Sequence, residues 1–123
     1  MNSHDQLTEQ IANLEKQIEK IKEQLMSIGD MRPGNLTEQK HPSKSANHSY
    51  YQLSYTHKNR SRTEYIREVF LNEIRQEISE YEQFKQLIAQ WTDLAVEKAT
   101  ARLKLLRATT PRAKRRPTPR KTD

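Results

Sequence analysis

Two clusters of basic side chains are the most legible chemistry in this sequence. Lys58, Arg60, Arg62 and Arg67 stand among Tyr50, Tyr51, Tyr55 and Tyr65, and Arg112, Lys114, Arg115, Arg116, Arg120 and Lys121 fall in a proline-bearing segment with almost nothing apolar. Cations at that density suit a polyanion, because each Lys or Arg that meets a phosphate releases condensed counterions, and tyrosine rings offer faces on which unpaired bases stack. From Ala101 onward nine Lys or Arg stand against one acid, Asp123, a net of +8, while residues 1–100 sum to −2 within an overall +6. Residues 31–67 carry seven basic side chains against Glu38 and Glu64, a net of +5. Taken alone, the first cluster reads foremost as a solvated turn with tyrosines packed on a helix. The second reads as a phosphate-contacting arm, since an unfolded basic segment has little structural purpose.

Other chemistry finds little support. The histidines are His4, His41, His48 and His57; only the last three flank one region, no pair has helical i, i+4 spacing, and without cysteine no thiolate completes a zinc set. Ser54 and His57 are the nearest nucleophile and base, but a strand period puts them on opposite faces. Glu77, Glu80 and Glu82 read as the solvated side of a helix, and Trp91, near Leu87, Ile88, Leu94 and Ala95, as part of its apolar side. Two glycines hardly build a phosphate-cradling loop. No metal, cofactor or small-molecule substrate is expected, and catalysis is not expected.

The elements that must position the basic clusters follow from periodicity. Leu7, Ile11, Leu14, Ile18, Ile21, Leu25 and Ile28 are spaced 4, 3, 4, 3, 4, 3, an unbroken heptad seam that predicts a coiled-coil helix over residues 3–28. Residues 29–48 hold both glycines, Pro33 and Pro42 and read as a connection, long for an ordinary loop. Over residues 49–66, Tyr51, Leu53 and Tyr55 alternate with Gln52, Ser54 and Thr56 before a polar HKNR stretch, which predicts a β-hairpin whose turn length is open for want of Asn-Gly or Asp-Gly. Residues 67–107 contain no Gly or Pro, and Phe70, Ile74, Ile78, Tyr81, Phe84, Leu87, Ile88, Trp91, Leu94, Ala95, Leu103 and Leu106 recur along them as a second, longer helix. Residues 108–123 are expected to be a disordered basic tail.

The expected fold is therefore mainly α: a long antiparallel helical, coiled-coil hairpin with a small β-hairpin head and a disordered basic tail. Composition agrees, with 33% hydrophobic and 31% charged residues where globular domains average about 45–50% and about 25%. A two-helix pair leaves apolar surface uncovered, so self-association is expected. The opening MNSHDQLTEQ lacks the basic start and apolar run of a secretory signal, and no stretch approaches the ~18 apolar residues of a membrane span, so a cytoplasmic setting without membrane contact is expected, with nucleoid association left open.

The order of these features resembles a family of short, uncharacterised bacterial and archaeal proteins. The resemblance runs over MRPGNLTEQ (residues 31–39), YYQLSYTHKNRSRTEYI and the EIRQEISEYEQFKQLI helix. Family members read PGSL, a cysteine-bearing knuckle, HGPYYYLSY, a Gly-Lys turn and a long helix. The matching positions here are Pro33, Gly34, Leu36, Tyr50, Tyr51, Leu53, Ser54, Tyr55, Ile66, Tyr81 and Phe84. KHPSKSANHS stands where that family has its cysteines, so a metal knuckle is not carried over, and HSYYQLSY is one residue shorter than its counterpart. The resemblance implies the architecture and a small prokaryotic protein, and brings no activity.

Two functions follow. The first is a non-enzymatic nucleic-acid-binding accessory protein, on DNA ahead of RNA, using Lys58, Arg60, Arg62, Arg67 and the tail cations on an oligomeric helical platform. The alternative is a structural adaptor whose seam recruits a partner helix within a larger complex.

Overall fold

The computed structural model describes residues 3–40 and 49–110. Its elements in order are α1 (Ser3–Met26), β1 (Asn35–Lys40), β2 (Ser49–His57), β3 (Arg60–Ile66), a single 3-10 turn at Glu68–Phe70, and α2 (Leu71–Thr109). The described residues are mainly helical, with two α-helices and one small three-stranded antiparallel sheet ordered β1-β2-β3. No helix among the described residues is long and apolar enough to cross a membrane. Of the tail expected to be disordered over residues 108–123, Ala108 and Thr109 instead belong to α2, and residues 111–123 lie outside the described residues.

The chain divides into two compact units. One combines α1 up to Lys20 with α2 from Trp91 onward. Leu14, Ile18 and Ala101 are buried in it, with Leu7, Ile11, Trp91, Leu94 and Leu105 half-buried. At its surface the Lys98 ammonium lies 3.2 Å from the Glu15 carboxylate, an exposed pair of the kind that contributes little. Within α1, and on to Ile28, the heptad positions are the ones that lose exposure, and every other described position from His4 to Ser27 stays exposed. The second helix departs from its expected stripe. Ala101 and Leu105 turn inward, while Val96, Leu103 and Leu106 are 60%, 47% and 52% exposed.

The other unit runs Ile21–Gln90 and contains the sheet. Its buried residues are Ile21, Leu53, Leu71, Ile74 and Leu87. The expected hairpin is present, closed by Lys58 and Asn59 at φ 53° and 63°, the two positive values a type I′ two-residue turn requires. The expected connection over 29–48 needs correction, because residues 35–40 form β1 and pair with β2 from Asn35↔Ser54 to Lys40↔Ser49. NLTEQK has one apolar residue and shows no strand pattern. It becomes a strand because the second edge of β2 offers unpaired N–H and C=O groups that need partners. The long helix also begins later than Arg67: the chain leaves β3 extended at Arg67, makes the 3-10 turn and enters α2 at Leu71.

Antiparallel register places Leu36, Tyr51, Leu53, Tyr55 and Ile66 on one sheet face, and Leu53 at its centre is 0% exposed. Gly34 comes so close to it that a Cβ there would lie 2.5 Å from Leu53 Cδ1, on a backbone at φ +149°. The preceding segment is tied to α2. Gly29 N–H donates to Glu80 Oε1 at 2.8 Å, Arg32 N–H to the Glu77 carbonyl at 3.1 Å and Arg32 Nε to Glu77 Oε1 at 2.7 Å. Glu77 and Glu80 are thus fastenings for this segment, where the sequence suggested only a solvated face.

Gly34→Ala is expected to cost about 1–3 kcal/mol, since the new methyl collides with Leu53 and the backbone suits glycine. Urea unfolding measures it, and in a Leu53→Ala background the added cost should shrink, because the colliding atoms are gone. Lys58→Asn should instead stabilise the protein by about 0.5–1 kcal/mol, since asparagine tolerates the left-handed region better than lysine. Its thermal melting midpoint should rise accordingly.

Candidate nucleic-acid interface

The hairpin turn carries three of the expected basic residues together. Lys58 occupies the turn, Arg60 opens β3 opposite His57, and Arg62 sits opposite Tyr55. All three are exposed. Alternation puts Arg60 and Arg62 on the Leu53 face but beyond its buried part, about 7 Å apart at the strand rise. Among the described residues none of the three is in an ion pair. Glu64, the next residue on that face, bounds the cationic end, and its carboxylate lies 3.5 Å from the Tyr55 hydroxyl.

Arg67 does not join them. It lies at the other end of β3, about five residues or ~17 Å along the strand from Arg62, and its guanidinium stacks over the Phe70 ring at 5.6 Å. Arg32, counted in the basic excess of this region, is occupied by Glu77 at 2.7 Å. The remaining expected cations, Arg112, Lys114, Arg115, Arg116, Arg120 and Lys121, lie outside the described residues, as do His41 and His48.

The four tyrosines separate into pairs. Tyr51 and Tyr55 share the Leu53 face and are half-buried; Tyr50 and Tyr65 lie on the opposite face, ring centroids 5.4 Å apart and planes at 79°. That second face carries Thr37, Gln52, Thr63 and similar neutral polar residues and no charge, and Tyr65 on it is 72% exposed. Sequence reasoning missed this partition, although once the register is known the period of two contains it.

Ser54 and His57 fall on opposite faces, as their spacing implied, and cannot act as a nucleophile and base. Among the described residues no group of three His, Cys, Asp or Glu is placed to hold a metal ion. An open cavity of the sheet-bearing unit, about 650 Å³, is lined by Ser27, Gly29, Asp30, Asn72, Glu73, Gln76, Glu77 and Glu80. Its carboxylates repel phosphate, in contrast to the exposed cations at the hairpin end.

The family model of a domain of unknown function, DUF6788, matches residues 6–76. The chain belongs to the DUF6788 family. The DUF6788 span takes in nearly all of α1, the whole sheet and the start of α2, so Gly34, Leu53 and the basic hairpin turn lie inside it, while Glu77, Trp91 and the exposed Val96, Leu103 and Leu106 lie beyond it. No curated protein and no solved structure matches the chain.

Replacing Lys58, Arg60 and Arg62 together by alanine should change unfolding free energy by no more than about 0.5 kcal/mol per site, because none is buried or paired among the described residues. Arg32→Ala, which strands the Glu77 carboxylate, should cost about 1 kcal/mol after allowance for solvent screening. Parallel urea titrations of the two variants check the contrast.

Proposed function

We propose that the protein is a non-enzymatic, nucleic-acid-binding accessory protein of the cytoplasm, acting on DNA in preference to RNA. It uses Lys58, Arg60 and Arg62 at the hairpin turn together with the basic segment that contains Arg112, Lys114, Arg115, Arg116, Arg120 and Lys121. The observation that carries this reading is the exposed turn cluster, whose charges are left for solvent or a ligand while Arg32 and Arg67 are engaged by Glu77 and Phe70. A two-stranded basic ribbon has dimensions that enter a major groove, and a cationic segment adds affinity without reading bases. Arg67 contributes less than the turn cations, since its stacking on Phe70 must persist or be exchanged.

In this reading the two helices form an antiparallel coiled-coil hairpin, and self-association multiplies weak phosphate contacts through effective concentration. The loss of exposure at the heptad positions of α1, with Leu14, Ile18 and Ile21 buried and Leu7, Ile11 and Leu25 half-buried, supports it. The similarity to small prokaryotic proteins noted above fits such a role. A second reading, an adaptor that recruits a partner through a helical face, is favoured by the exposed Val96, Leu103 and Leu106.

Fluorescence anisotropy with labelled single- and double-stranded DNA and RNA separates the two. The full chain should bind with a steep log-log dependence on salt; a chain ending at Thr110 should bind far more weakly and with a shallower slope, and the Lys58, Arg60, Arg62 alanine variant should lose about one unit of slope per phosphate contact removed. Absence of binding at low salt would remove the nucleic-acid reading and leave the adaptor. Binding with a flat salt response would do the same.

A further inference from the structure

The second helix carries two apolar stripes in the unit that contains its C-terminal half. Trp91, Leu94, Lys98, Ala101 and Leu105, spaced 3, 4, 3, 4, with Ala95 beside them, are its buried and half-buried side. Val96, Ala99, Leu103 and Leu106, spaced 3, 4, 3, lie about 140° around the helix at 100° per residue, and all four are exposed. Single exposed apolar residues are ordinary. A heptad-spaced run of them over three turns, in a chain only 33% hydrophobic, has the form of a helix-pairing seam.

We infer that this stripe pairs α2 with α2 of a second copy of the chain, antiparallel about a twofold axis. The flanking charges select the occupant and its direction. With Val96 and Leu103 at a and Ala99 and Leu106 at d, the e positions are Asp93, Thr100 and Arg107, and Arg102 holds a g position. Parallel pairing sets g against e, so Arg102 of each copy meets Arg107 of the other and two like-charge contacts arise. Antiparallel pairing sets e against e, so Asp93 of each copy meets Arg107 of the other and two attractive contacts arise; the one like-charge contact, between the two Arg102 side chains, falls on the axis, where long side chains diverge into water. In the same register Val96 faces the second copy's Leu106, and Ala99 faces its Leu103. Small residues opposite large ones let the helices approach closely.

This surface refines the self-association assumed in the functional reading, and it is measured without nucleic acid, so that failure of one leaves the other standing. Sedimentation equilibrium of the full chain should show a reversible dimer. Leu103→Glu should make it monomeric with unchanged helical circular dichroism. Arg107→Asp, which turns both attractive contacts repulsive, should raise the dimer dissociation constant about tenfold, and Asp93→Arg combined with Arg107→Asp should restore it. The charge variants are surface changes that leave the fold intact and give an independent readout should Leu103→Glu not fold. A chain monomeric at every concentration overturns the inference and assigns the stripe to a different partner. A dimer insensitive to Leu103→Glu, or one tightened by Arg107→Asp as parallel pairing requires, overturns it as well.

Discussion

Leu53 is the residue around which the sheet-bearing unit is arranged. It sits at the centre of the middle strand and is fully buried, and its side chain needs space where the chain passes beneath it. A Cβ at Gly34 would collide with the Leu53 side chain, on a backbone that favours glycine. The consequence propagates in both directions along the backbone. Immediately after Gly34 the chain enters β1 and sets Leu36 opposite Leu53; immediately before it, Arg32 and Gly29 are held by Glu77 and Glu80 of α2. Residues 29–36 therefore act as a strap between sheet and helix within this unit, secured by apolar close packing at one end and by carboxylate hydrogen bonds at the other.

The strap also sorts the charges. Glu77 and Glu80 are engaged in fastening, and with Asp30 and Glu73 they line an acidic cavity that offers nothing to a phosphate. Arg32 and Arg67 are likewise engaged, one by a carboxylate and one by an aromatic ring. Of the seven basic residues over 31–67, Lys58, Arg60 and Arg62 are gathered at the type I′ turn, which Lys58 and Asn59 close in two left-handed residues. Hairpin twist and turn type decide which cations share a surface. Composition alone spreads them over the whole region.

The helices show a related division between local pattern and chosen partner. Along α1 the heptad-spaced apolar residues form one seam, and that seam is what loses exposure. Along α2 the apolar residues are numerous enough to form more than one stripe, and a pattern of types does not say which stripe meets α1. Ala101, a small residue easily passed over, is 2% exposed, while the larger Leu103 and Leu106 stay in solvent. Size is a poor guide here because close approach between helices favours the small side chain at the contact.

The sequence by itself determined what depends on neighbours a few residues apart: the α1 seam, the hairpin from Ser49 to Ile66, the long second helix, the segregation of charge and the opposite faces of Ser54 and His57. These are periods of two, three and four residues, which backbone geometry converts directly into faces. Tertiary structure decided what depends on distant segments: that NLTEQK is a strand, that Glu77 and Glu80 anchor Arg32 and Gly29, that Tyr50 and Tyr65 part company with Tyr51 and Tyr55, and which stripe of α2 turns inward. An edge with unsatisfied backbone groups accepts whatever segment the chain can bring to it, and a helix with two apolar sides buries the one whose shape admits its neighbour. Neither choice leaves a local period to read.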